Sequence, residues 1–101
     1  DGNGYVDDCR GDNFGDNTGI ELMGQDSHGT HCAGIVAADS DNGVGVAGVA
    51  GGGGGQPGAL LMHLTVFGTE RWYGYAEAQV YAADMGAAIV SNSWGYDHPG
   101  V

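Results

Sequence analysis

Basic residues are scarce in this chain of 101 residues. Lysine and arginine together number 2, against 13 aspartates and glutamates, so the formal net charge is −11. A nucleic-acid-binding protein needs a basic stripe to neutralise phosphate groups. The charge balance therefore excludes nucleic acid as an expected partner.

An apolar run that is free of glycine and long enough to span a membrane is also missing, and cysteines are few. The uncharged segment 43–62 is as long as a membrane-spanning helix, but nine of its residues are glycine and one is Pro57. Glycine and proline disfavour helices, so we expect no membrane span. The only cysteines, Cys9 and Cys32, are too few for a disulfide framework.

Glycine, by contrast, is abundant, with 22 residues in 101, roughly three times its usual share of about 7%. The glycines have no strict three-residue period, which excludes a collagen-like chain. Apolar residues reach 42%, which argues against simple disorder. The length suits one small domain, and we expect the chain to be a piece of a longer protein.

Two helices are predicted after an acidic, turn-rich region that covers residues 1–26. The small residues of 27–38 predict the first helix. Apolar residues at helical spacing predict the second helix over 74–85. Gly86 is the expected stop of this helix, since glycine is common just past a helix end.

Two strands are predicted on either side of the second helix. The apolar runs at 59–67 and 87–92 are nearly continuous, as is typical of strands buried on both faces. The order strand, helix, strand predicts a right-handed crossover with parallel strands. The fold class is therefore α/β.

The strongest chemical signal lies in residues 26–38. Here the motif His28-Gly-Thr-His-x-Ala-Gly34 resembles the histidine motif of the subtilisin-like serine proteases. Residues 42–50 resemble that family's stretch after the histidine helix, and Ser91-Asn-Ser-Trp-Gly95 resembles its substrate-binding strand. The resemblance covers roughly residues 26–95. It implies a partial subtilisin-like parallel sheet with flanking helices.

The resemblance assigns His28 the role of general base. A serine hydroxyl is a poor nucleophile near neutral pH and needs a base with a pKa near 7, which histidine supplies. The implied reaction is hydrolysis of peptide bonds in proteins by acyl transfer. We expect His31, one turn later, to be structural and hydrogen-bonded in the interior, and Cys32 to lie behind the base.

The same resemblance makes Ser93, Trp94 and Gly95 the substrate-binding residues. An extended polypeptide substrate would pair with the enzyme backbone there, as an added strand. Gly95 would let the substrate backbone approach closely, and Trp94 would line an apolar pocket.

Several parts that a subtilisin-like mechanism needs are not in this sequence. It has no Asp-Thr-Gly or Asp-Ser-Gly turn to orient the histidine, no Gly-Thr-Ser turn with a nucleophile, and no oxyanion asparagine downstream of the substrate strand. Because these parts act as a unit, we expect the chain alone to be inactive. Residues 1–101 are thus interpreted as an incomplete peptidase domain, with the histidine helix, the crossover unit and the substrate strand in 27–101.

The acidic start of the chain matches part of an EF-hand-like calcium loop, if an aspartate stands two residues before it. The candidate oxygen ligands come from Asp1, Asn3, Tyr5, Asp7 and Asp8. Arg10 falls where the bidentate glutamate belongs, which argues against a complete loop. A second candidate comprises Asp39, Asp41 and Asn42. Structural calcium is therefore the expected cofactor, and a solvated acidic loop is the alternative.

Acidic charge, the calcium candidates and above all the family resemblance indicate a secreted enzyme. Two alternatives stay open. One is a non-catalytic calcium-binding or adhesive module, and the other is a pseudoprotease that keeps the scaffold without the chemistry. Whether a propeptide assists the folding of the full-length protein also stays open.

Overall fold

A computed structural model describes residues 11–15, 27–67 and 74–95. The elements, in chain order, are strand β1 (Gly11–Asn13), helix α1 (His28–Ala37), strand β2 (His63–Thr65) and helix α2 (Gly74–Asp84). The two strands pair in parallel, with Asp12 opposite Leu64. Helices combined with a parallel strand pair confirm the α/β class and are consistent with a partial subtilisin-like fold.

The buried core of the described ranges joins α2 to the strand pair. Phe14, directly after β1, exposes 0% of its surface, and Tyr81 and Ala78 on α2 are buried beside it. The Phe14 and Tyr81 ring centroids lie 5.3 Å apart. Leu64 and Val66 pack against this cluster. Burial of these side chains therefore holds α2 against the sheet.

Helix α1 has the predicted position to within one residue at each end. No residue of α1 is buried among the described ranges. Its C-terminal carbonyls, which lack partners inside the helix, accept hydrogen bonds from the returning chain. Val49 N–H donates to the Ile35 carbonyl at 2.8 Å and Ala50 N–H to the Val36 carbonyl at 2.7 Å. The segment 48–51 therefore closes the C-terminal end of α1.

Two glycines are required by the backbone geometry. A Cβ on Gly51 would collide with the Ala38 carbonyl, so only glycine lets the returning chain pass α1 so closely. Gly86 has a φ of 88°, in the left-handed region that glycine adopts readily. Gly86 N–H donates to the Ala83 carbonyl at 3.0 Å and Ala87 N–H to the Ala82 carbonyl at 2.9 Å. This pattern is a Schellman motif, and it confirms Gly86 as the stop of α2.

The strand predictions are only partly right. Strand β2 occupies just His63–Thr65 of the predicted run 59–67, and residues 87–92 form no strand. Strand β1 lies in the region that was predicted to consist of loops. A strand requires a partner in a ladder. Residues 11–13 find this partner in β2, whereas no described element pairs with 87–92.

None of the helices in the described ranges is long and apolar enough to cross a membrane.

Candidate active site

His28 is the first residue of α1, and its side chain is exposed. Its Nε2 atom lies 3.8 Å from the Sγ of Cys32, one helical turn later. Which of the two atoms donates depends on the histidine tautomer. The imidazole therefore lies at a helix entrance beside a thiol, where a group from another segment can approach it.

The structure describes the surroundings of His31 and Cys32, for which the sequence predicted an interior position and a position behind the base. His31 is exposed, so the expectation of an interior histidine is wrong for this structure. The reason is that α1 buries none of its residues in the described ranges. Cys32 is a free, half-buried cysteine, and its Sγ lies beside the His28 imidazole one turn earlier.

Ser93, Trp94 and Gly95 lie in an irregular segment after α2, and all three are exposed. A Cβ built on Gly95 would meet nothing within 4 Å. The space above this glycine is therefore open, which is compatible with the close approach of another backbone.

Trp94 belongs to an aromatic cluster with Phe67 and Tyr75. The ring centroid of Trp94 lies 5.0 Å from that of Tyr75 and 5.9 Å from that of Phe67. The Phe67 and Tyr75 centroids are 5.5 Å apart. Since Phe67 follows β2 and Tyr75 lies in the first turn of α2, the cluster joins three parts of the chain next to Gly95.

The prediction that Trp94 lines an apolar pocket did not include its two ring partners. The position of Phe67 at the end of an apolar run was an available signal. No comparable signal indicated Tyr75, because it is far from Trp94 along the chain and local sequence patterns do not predict such a contact.

A hydrogen bond joins the same helix to the same segment. The Gln79 Nε2 donates to the Asn92 Oδ1 at 3.0 Å. Gln79 lies on α2, and Asn92 is two residues before Trp94. Sequence reasoning missed this pair too, and no pattern in the sequence indicated it.

The first calcium candidate, formed by Asp1, Asn3, Tyr5, Asp7 and Asp8, lies outside the described residues. The second lies in the loop 39–47, which surrounds a shallow open depression. There the Asn42 Oδ1 already accepts a hydrogen bond from Val44 N–H at 3.0 Å. No group of three or more His, Cys, Asp or Glu residues in the described ranges could hold a metal.

The model of the subtilase family matches residues 1–100. The chain belongs to the subtilase family. It is 40% identical over 85 residues to thermitase of Thermoactinomyces vulgaris, an alignment that covers 81% of this chain and 28% of thermitase. It is 35% identical over 91 residues to the thermophilic serine proteinase of Bacillus sp. (strain AK1), which covers 87% of this chain and 21% of that protein.

A third relative of this subtilase chain is the calcium-dependent protease of Trichormus variabilis, 37% identical over 71 residues, or 70% of this chain and 10% of that protein. The comparison with solved structures gives no match. The subtilase chain thus spans less than a third of the length of each of these relatives.

Proposed function

We propose that the full-length protein is a serine endopeptidase that hydrolyses peptide bonds in polypeptides by acyl transfer. The observation that carries this proposal is the match of the subtilase family to residues 1–100, together with the histidine motif at the start of α1. Relatives named as a protease and a serine proteinase support the same chemistry.

His28 is the general base of the proposed reaction. It takes the proton from a serine hydroxyl as the serine oxygen attacks the scissile carbonyl, and it later returns the proton to the leaving amine. The serine and the orienting aspartate would come from outside these 101 residues. Exposure of the imidazole at the first residue of α1 supports this role, because the base must reach a group on another segment. The 101 residues alone are then inactive, since the triad acts as a unit.

Residues 93–95 are the proposed substrate-binding segment. A substrate polypeptide would pair with its backbone in the manner of an added strand. The open space at Gly95 supports close approach of the substrate backbone. Trp94, 37% exposed within the aromatic cluster, would offer an apolar surface to a substrate side chain.

Structural calcium and secretion complete the proposal. Asp1, Asn3, Tyr5, Asp7 and Asp8 would provide carboxylate, amide and carbonyl oxygens, the ligands that calcium prefers. The relative named as a calcium-dependent protease supports a role for the ion. The acidic composition supports secretion, and a propeptide is a candidate folding partner of the full-length protein.

Labelling with a fluorophosphonate, which reacts with activated serines, tests the proposal. In the full-length protein, we expect His28→Ala to abolish labelling, because loss of the base from a serine-protease triad costs on the order of 10⁶ in kcat. His31→Ala is the matched control, since it removes an exposed histidine from the same helix, and it should label like the wild type.

Undiminished labelling of His28→Ala would refute the assignment of the base. Absence of labelling in a folded wild-type protein would favour the pseudoprotease alternative. Folding that requires calcium but no activated serine would favour the calcium-binding module.

A further inference from the structure

Helix α2 contacts the segment around Ser93 at two points. Tyr75 and Gln79 are four residues apart and therefore lie on one face of α2. Tyr75 contacts Trp94, with ring centroids 5.0 Å apart, and Gln79 donates to Asn92 at 3.0 Å. The two contacts flank Ser93 on both sides.

We propose that Gln79 and Asn92 are positioning residues, which hold the backbone of residues 93–95 in register for a polypeptide substrate. This inference rests on the proposed function, which makes 93–95 the substrate-binding segment. Neither residue would touch the reacting atoms.

The hydrogen bond contributes something that the ring contacts do not. Aromatic rings attract one another over a range of offsets and tilts, so the contact of Trp94 with Tyr75 and Phe67 permits sliding. A hydrogen bond weakens steeply as its angle departs from linearity. The Gln79 and Asn92 pair therefore fixes where the segment lies along α2, while the aromatic cluster supplies most of the apolar contact.

Side chains make the contacts between α2 and the segment in the described ranges. Among the described residues, 87–95 take part in no strand pairing. The described contacts that place this segment against α2 are the Gln79 to Asn92 hydrogen bond and the Trp94 to Tyr75 ring contact.

Isosteric variants in the full-length enzyme separate the hydrogen bond from side-chain size. In Gln79→Glu, the amide of Asn92 can turn and donate to the new carboxylate. In Asn92→Asp, the amide of Gln79 still donates. In the double variant, two carboxylates face each other without a donor and repel. We therefore expect both single variants to stay within about twofold of the wild type.

The assay compares an extended peptide substrate with p-nitrophenyl acetate, which is too small to pair with residues 93–95. We expect the double variant to raise KM for the peptide by about five- to tenfold, the equivalent of one lost hydrogen bond. Its kcat for the peptide and its kcat/KM for the ester should change by less than about twofold, since His28 and the nucleophile are untouched. Ala76→Glu/Ala83→Glu is the control, because it adds two charges at exposed positions of α2.

Two kinetic outcomes would overturn the inference. In one, the double variant matches the single variants in peptide KM. In the other, peptide and ester hydrolysis fall in parallel, which would indicate a general loss of folded enzyme.

Hydrogen exchange distinguishes failure of this inference from failure of the proposed function. The amides of residues 93–95 should exchange faster in the double variant than in either single variant, whether or not the protein is a protease. If the double variant exchanges faster but the wild-type protein is not labelled by a fluorophosphonate, the positioning contact is supported and the proteolytic function is refuted. Unchanged exchange in an active enzyme would refute the positioning contact alone.

Discussion

Truncation of Phe14 tests whether the junction between α2 and the strand pair is a true core of the domain. Phe14 exposes 0% of its surface and contacts the ring of Tyr81. A buried Phe→Ala substitution costs about 3–5 kcal/mol, because it loses the burial of the ring and leaves a cavity. We therefore expect Phe14→Ala to lower the free energy of unfolding of the full-length protein by at least about 3 kcal/mol.

The matched control is Phe67→Ala, the same substitution at the other phenylalanine of the chain. Phe67 is 55% exposed, so about half of the 1.5–3 kcal/mol for full burial applies. Loss of its ring contacts adds roughly 0.5–1.5 kcal/mol. The expected cost is thus about 1–3 kcal/mol, below the range of about 3–5 kcal/mol for Phe14→Ala.

Urea unfolding of the full-length protein, labelled with a fluorophosphonate to stop self-digestion, measures both variants. The two unfolding free energies can be compared when their slopes against urea concentration are equal, because the slope reports the surface exposed on unfolding. A cost for Phe67→Ala equal to or above that for Phe14→Ala would refute the placement of the core at Phe14.

Two further predictions concern the backbone near α1 and the calcium proposal. Gly51→Ala should lower the unfolding free energy by about 1–3 kcal/mol, because its Cβ would collide with the Ala38 carbonyl. Val49→Ala, which truncates a 92% exposed side chain, is the control in the same urea assay. An equal loss of stability in both variants would contradict the close approach of Gly51 to α1. Removal of calcium with EDTA should lower the midpoint temperature of unfolding of the full-length protein, since an ion present at 100 times its Kd stabilises the folded state by about 2.7 kcal/mol. EDTA pre-saturated with calcium is the control. A midpoint that EDTA leaves unchanged would contradict structural calcium.

Local features of the sequence predicted the helices well. The bounds of α1 and α2 lie within one residue of the predicted ones, and Gly86 ends α2 as expected. These features depend on residues at most five positions apart, such as the Ala87 to Ala82 hydrogen bond. Sequence periodicity records interactions of this range directly.

Pairings between distant segments were beyond the reach of the sequence. Strand β1 has the polar sequence Gly-Asp-Asn, and it becomes a strand only through β2, whose His63 lies opposite Gly11. In the candidate site, the family resemblance predicted roles for His28 and Trp94, but the contacts of Trp94 with Phe67 and Tyr75 depend on the fold. The exposure of His31 depends on which segments pack against α1. The spacing of residues within the helix does not indicate these segments.

The position of His28 depends on how the opposite end of its helix is held. Helix α1 has 10 residues and is therefore about 15 Å long. Its described backbone attachments cluster at the C-terminal end, where Val49 and Ala50 donate to the Ile35 and Val36 carbonyls. A tilt of about 4° at that end would move the imidazole end by about 1 Å, a displacement that can cost roughly 10²-fold in rate. The glycine-rich return after α1 is thus expected to determine the alignment of His28, the proposed base. Gly51→Ala should therefore lower kcat in the fraction of enzyme that remains folded.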